Sequence, residues 1–160
     1  MRYYDSFASP HGKMLLVASE KGVSGIYFNR QKYFPATKKD WKRDERHAVL
    51  KQAKRELLEY FAGKRKRFGV PLAPDGTPFQ RSVWKAISKV GFGKTLTYGE
   101  LAAKAGRPGS ARAAGAATGR NPIGIIVPCH RIMGANGSLT GYAGGLRKKR
   151  ALLALEGAAS

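Results

Sequence analysis

An α+β fold is predicted, with a small antiparallel sheet and one helix in the N-terminal part and a mainly helical C-terminal part carrying a helix-turn-helix. Three observations predict it. Residues 13–28, KMLLVASEKGVSGIYF, read as two apolar strands around the turn Glu20-Lys21-Gly22. Between Trp41 and Ala62 the apolar positions Val49, Leu50, Ala53, Leu57, Leu58 and Phe61 recur at helical spacing, with Gly63 as the stop. Beyond Pro74 the strand signal gives way to short helical segments opened by capping boxes and closed by Gly or Pro.

Taken in order, residues 2–8 can add a strand to the hairpin, and the 41–62 helix packs its apolar stripe on it. The run Lys64-Arg65-Lys66-Arg67 is either a solvated helix end or a phosphate contact, and Val70 to Gly76, with two prolines, reads as a linker. The predicted domains are therefore 1–73 and 74–160. Thr77, Pro78 and Gln80 form a helix start, with Phe79, Val83, Trp84 and Ile87 on the buried face. A second capping box, Thr97-Tyr98-Gly99-Glu100, opens a short helix that Gly106 and Pro108 terminate. Ser110 then caps a helix from Ala111 to about Gly119, so two short helices flank a tight turn. Ile125-Ile126-Val127 reads as a buried strand leading into Pro128-Cys129-His130-Arg131. A hairpin is expected at Ala135-Asn136-Gly137-Ser138 and a closing helix from Leu146 to Glu156.

Charge narrows the function. The 160 residues carry 30 Lys+Arg against 10 Asp+Glu, a formal net charge of +20. An excess of that size points to a polyanionic partner. No apolar run reaches the roughly 20 residues that span a bilayer, and the N-terminus lacks a signal-peptide core. Nucleic acid is thus the expected partner, with no membrane, in the cytoplasm. A single cysteine cannot form an internal disulfide, and His11, His47 and His130 are too scattered to make a metal site with it.

The helix SARAAGAATGRN has almost no side-chain bulk apart from Arg112. Such a helix is either buried against a core or able to bring its backbone close to a narrow groove, and the charge of the chain favours DNA. Cys129 is the candidate nucleophile. A reactive thiol needs a base or a positive environment, and His130 and Arg131 follow it directly. In a strand, neighbouring side chains point to opposite faces, so a working Cys-His pair needs a turn at Cys129 or a bridging water. From these residues alone, a buried inert cysteine, a cysteine hydrolase and a DNA-binding module without chemistry all stay open.

The segments Gly119-Arg120-Asn121-Pro122-Ile123-Gly124-Ile125-Ile126-Val127-Pro128-Cys129-His130-Arg131 and Gly137-Ser138-Leu139-Thr140-Gly141-Tyr142-Ala143-Gly144-Gly145 resemble the active-site region of the O6-alkylguanine-DNA alkyltransferases. Thr97 to Ala102 and Ala111-Arg112-Ala113 match that family's helix-turn-helix in order and spacing. The likeness is strong from Thr77 to Gly157 and looser before it. It implies a ribonuclease H-like N-terminal domain and a winged helix-turn-helix. It also implies single-turnover transfer of the alkyl group from O6-alkylguanine in double-stranded DNA to Cys129, with base flipping and no cofactor. Whether O4-alkylthymine is a second substrate, and whether the expected monomer clusters along DNA, stay open.

The same resemblance implies roles. Cys129 would accept the alkyl group, His130 would act as base through a water, Glu156 would hold the histidine, and Asn121 would brace the turn. Tyr98 would lie near the guanine ring, Tyr142 would form a pocket wall, and Ala143 and main chain near Ile132 would read the guanine edge. Arg112 would fill the gap left by the extruded nucleotide. Ser110, Ala111, Ala113, Gly115 and Gly99 would face DNA beside it. This chain departs from some members: it has no cysteine before 129, so no N-terminal zinc site, Ala143 replaces a serine and Gly124 a proline.

Overall fold

The computed structural model describes residues 1–35 and 39–158, which divide into a unit of Met1–Asp75 and a unit of Gly76–Ser160. In the first, strands β1 (Arg2–Ser9), β2 (Gly12–Ser19), β3 (Gly22–Phe28) and β4 (Trp41–Arg43) form one sheet in the order β3-β2-β1-β4. β1, β2 and β3 are antiparallel neighbours, and registers such as Phe7↔Met14↔Phe28 align apolar side chains on one face. Helix α1 (Ala48–Phe61) packs across these strands through Leu50, Ala53, Leu57 and Tyr60.

Two expectations change here. Trp41–Arg43 is not the first turn of the helix but a strand lying parallel to β1, with Arg2 opposite Trp41. It satisfies the free edge of β1, and the helix starts only at Ala48. The stretch after Val70 is not a free linker either. Val23 N–H donates to Pro71 O at 2.8 Å and Ala73 N–H to Val23 O at 2.7 Å, while Gly69 N–H and Val70 N–H donate to the buried Glu56 carboxylate. Gly22 permits this approach, since a Cβ there would lie 2.6 Å from Pro71 O. In the charge run, Arg65 pairs with Glu59 at 2.9 Å.

The second unit comprises α2 (Pro78–Ser88), β5 (Leu96–Thr97), α3 (Tyr98–Lys104), α4 (Ala111–Gly119), a single 3₁₀ turn (Cys129–Arg131), β6 (Ile132–Met133) and α5 (Leu146–Leu155). Both capping boxes form in full, Thr77 with Gln80 and Thr97 with Glu100. Trp84 Nε1–H donates to Ala117 O at 2.8 Å, tying α2 to the second helix of the helix-turn-helix. Within α4, Ala114, Ala117 and Thr118 are buried while Ala111, Arg112 and Ala116 are exposed, so the helix is both core on one side and open surface on the other.

Three local expectations are corrected. Ser110 occupies the N-cap position of α4 but its hydroxyl makes no capping bond. Residues 125–127 are not a strand: Ile125 has φ +70°, and Ile126 N–H and Val127 N–H fold back onto Gly124 O and Ile123 O. The apolar side chains are buried inside a turn instead of along a ladder. At 134–138 a tight turn closes through Gly134 N–H to Ser138 O at 3.0 Å, without a hairpin, because β6 pairs in parallel with β5. Among the described residues no helix is long and apolar enough to cross a membrane.

Candidate active site

The turn at Ile125 delivers Cys129 to the start of the 3₁₀ turn, and Asn121 holds that geometry. Its Oδ1 accepts from Ile123 N–H at 3.0 Å, and its Nδ2 donates to Val127 O at 2.9 Å, replacing the partners a strand would have had. The Asn121 side chain also lies within hydrogen-bonding reach of the Cys129 thiol. Cys129 is 7% exposed. Burial pushes its thiol pKa above the ordinary value of 9.0, against the opposing pull of Asn121 and the charge of Lys149. The expected lowering by its sequence neighbours does not occur, because Arg131 directs its charge elsewhere and desolvation wins.

That charge goes to Glu156. At the end of α5, the Glu156 carboxylate accepts from Arg131 Nε–H at 2.8 Å, from Arg131 Nη2–H at 2.9 Å, and bonds His130 Nε2 at 2.7 Å. Arg131 Nη1–H donates to Val90 O at 2.6 Å. His130 and the Glu156 carboxylate are fully buried. Burial lowers the His130 pKa, and the Glu156 bond offsets this only in part, which favours the neutral imidazole. Its Nδ1 has no partner among the described residues. The glutamate thus fixes the ring and leaves Nδ1 as the nitrogen available for proton transfer.

A second cluster lies beside the thiol. Lys149, buried on α5, donates from Nζ to Ile132 O at 2.5 Å, Thr140 O at 2.8 Å and Gly141 O at 3.2 Å. Tyr98, the first residue of α3, donates its hydroxyl to the same Thr140 O at 3.3 Å, and burial raises its pKa. Tyr142 and Ala143 follow in the adjoining segment, both half-buried, and the Tyr142 ring meets His130 edge-on at 6.5 Å. The structure therefore gathers Cys129, His130, Glu156 and Asn121 around the 3₁₀ turn, with Tyr98 and the 140–143 segment reached through Lys149. Tyr98 opens the first helix of the helix-turn-helix and so links the site to that motif. Arg112, Ala111 and Gly99 are exposed, Ser110, Ala113 and Gly115 half-buried, and Gly115 faces the Tyr98 ring.

Comparison with known proteins places this geometry. Residues 2–74 match the model of the 6-O-methylguanine DNA methyltransferase ribonuclease-like domain, and residues 78–158 that of the 6-O-methylguanine DNA methyltransferase DNA binding domain. The chain belongs to the 6-O-methylguanine DNA methyltransferase family. A methylated-DNA–protein-cysteine methyltransferase of Methanosarcina acetivorans is 49% identical to it over 155 residues, 97% of this chain and 98% of that one. The crystal structure of a Mycobacterium tuberculosis O6-methylguanine methyltransferase superposes with a TM-score of 0.88 at 44% identity, covering 98% of this chain and 93% of that one. A Mycobacterium tuberculosis relative solved in complex with DNA gives a TM-score of 0.87 at 43% identity, over 97% and 92% of the two chains.

Sequence reasoning gave no site role to Lys149 and missed the anchoring role of Arg131 in this methyltransferase. A signal for the lysine existed: it precedes the buried Leu152 and Leu153 by three and four residues, on the same helical face. Burial pulls its pKa down from 10.5 to about 8. The folded chain gives up this proton near pH 8 and the unfolded chain near 10.5, so between those values the unfolded state holds more protons. Stability contributed by this group therefore rises with pH across that window. The expected result is that the melting-temperature gap between the wild type and Lys149→Met moves in favour of the wild type from pH 7.5 to pH 10. A constant gap would refute it.

Proposed function

We propose that the protein repairs alkylated DNA by taking the alkyl group from O6 of guanine onto Cys129 Sγ, once per molecule. The observation that carries this reading is the geometry of His130, pinned through Nε2 by Glu156 on the turn that presents the chain's single thiol. The thiol proton passes, through a water, to His130 Nδ1, and Glu156 stabilises the imidazolium that forms. Sγ then bonds to the alkyl carbon as the carbon–O6 bond breaks, and the electron pair leaves with the guanine. The Tyr98 hydroxyl donates a hydrogen bond to the departing base, and the proton taken up by His130 is returned to the guanine through solvent, so that neither an imidazolium nor a phenolate remains. Lys149, beside the thiol, stabilises the transient thiolate.

The thioether has no good leaving path, and no group at the site restores the thiol, so one transfer exhausts the molecule. A sulfur atom of a residue only 7% exposed cannot meet a base that is stacked in a duplex, which favours extrusion of the lesion into the protein. Arg112 on the exposed side of α4 occupies the vacated stack. Tyr142 walls the pocket, and the Ala143 N–H and main chain at Ile132 read the guanine edge. Because Ile132 O already accepts from Lys149, only its second lone pair is open to a guanine donor.

The test is stoichiometric. With excess duplex carrying O6-methylguanine, intact mass spectrometry is expected to find one methyl per molecule, mapped to Cys129; repeated turnover or another modified residue refutes the reading. In the same assay Arg112→Ala slows repair of the duplex lesion roughly 10-fold or more, since extrusion costs a few kcal/mol. Reaction with the free alkylated base is unchanged, and equal losses on both substrates would remove Arg112 from base flipping.

A further inference from the structure

In the C-terminal unit a cavity of about 630 Å³ opens between the end of α2, the loop that follows it and the end of α3. Lys85, Lys89, Lys94 and Lys104 stand around a floor that includes Val90 and Leu96, and no carboxylate lines it. All four lysines are exposed, and none has an ion-pair partner among the described residues. Glu100, one turn before Lys104, feels that charge but binds Thr97 N–H at the far end of α3. Lysines suit the C-terminal ends of α2 and α3, yet each helix end carries only about half a negative charge. Two such ends leave a clear positive surplus from four ammonium groups.

We propose that this cavity takes the phosphodiester backbone of a nucleic-acid strand, as a DNA-binding surface separate from α4 and from the thiol pocket. It rests on the reading that the protein acts on DNA, and it gives a use to part of the net charge of +20. The chemistry selects a backbone over a small phosphorylated molecule. No arginine fork and no buried polar side chain lines the cavity, as a shaped small-molecule site would require. What surrounds it is mobile point charge, which positions a polyanion without reading its sequence. Lys85 and Lys89 are four residues apart along the chain, about 6 Å along the axis of α2, a separation that lets both reach a single strand.

The test compares two proteins with equal charge removed. One carries Lys85→Gln, Lys89→Gln, Lys94→Gln and Lys104→Gln; the other carries Lys13→Gln, Lys21→Gln, Lys51→Gln and Arg55→Gln, exposed positions of the N-terminal unit. Affinity for an undamaged duplex is measured by fluorescence anisotropy over a series of salt concentrations. The cavity variant is expected to bind about 10-fold or more weakly at low salt. Its log–log salt slope should be flatter by about 2 to 3, at ~0.9 for each phosphate that the lysines no longer neutralise. The second variant should stay close to the wild type in slope. Equal slopes in the two variants, or a cavity variant that matches the wild type, overturn the proposal. Methyl transfer from the free alkylated base is followed in parallel and is unchanged in both variants; its absence in the wild type would instead count against the proposed reaction.

Discussion

Replacing Cys129 by alanine is expected to abolish alkyl transfer and to leave affinity for a lesion-bearing duplex within a few-fold of the wild type. The thiol is the only sulfur nucleophile of its kind in the chain, so no second residue can take its place. On the proposed reading, binding survives because the exposed face of α4 and its Arg112 do not depend on the sulfur. Folding survives as well: the 3₁₀ turn is built by backbone bonds and by Asn121, and the substitution removes one buried atom, at a cost of about 1 kcal/mol or less. Intact mass after exposure to O6-methylguanine duplex reads the transfer, and anisotropy reads the binding. A methylated Cys129→Ala protein would end the assignment of Cys129 as the acceptor.

Replacing Glu156 by glutamine is expected to be the most destabilising single change at the site. Two guanidinium bonds and one imidazole bond converge on this carboxylate, all in buried surroundings. Removing one member of a buried pair while leaving the other costs about 3–5 kcal/mol, against total domain stabilities of about 5–15 kcal/mol. For a unit of this size the melting temperature falls by about 4–8 °C per kcal/mol, so a loss of more than about 10 °C is expected. The double variant Glu156→Gln with Arg131→Met separates structure from chemistry. It withdraws both charges and regains much of the stability, but single-turnover methyl transfer stays slow because His130 has lost the group that stabilises its protonated form. Full recovery of the rate in the double variant would assign Glu156 a purely structural role.

What could be read from the sequence was what is decided locally. Thr77-Pro78-Phe79-Gln80 and Thr97-Tyr98-Gly99-Glu100 specify their helix starts within four residues each, and both capping boxes form as written. The hairpin and its turn were legible for the same reason. Trp41–Arg43 was not, because its three residues adopt a strand only by virtue of the β1 edge beside them, and apolar spacing near a helix extends the helical reading too far upstream. Ile125-Ile126-Val127 has the composition of a strand. A positive φ at a β-branched residue is imposed by the surrounding turn and leaves no mark in the residue types. At the site, the thiol, its histidine and the helix-turn-helix were legible as a pattern in register. The pairing of charges was not: Arg131 looked like the positive neighbour of Cys129, whereas it is committed to Glu156, and the cation near the sulfur is the last of Arg147-Lys148-Lys149. Among adjacent basic residues only helical phase distinguishes the one that turns inward.

Lys149 also changes what the loop after Thr140 depends on. Three carbonyl oxygens converging on one positive centre is an arrangement that many proteins achieve by capturing a metal ion from solution. Here the ion is part of the chain, so the loop cannot be dismantled by a chelator or by dilution. A neutral amine has only two hydrogens for three acceptors, so the third tether is surrendered when the proton leaves, at a pH of about 8. Alkalinity, in place of ion supply, is then the variable that releases this one tether, even as relief of the buried charge favours the fold as a whole.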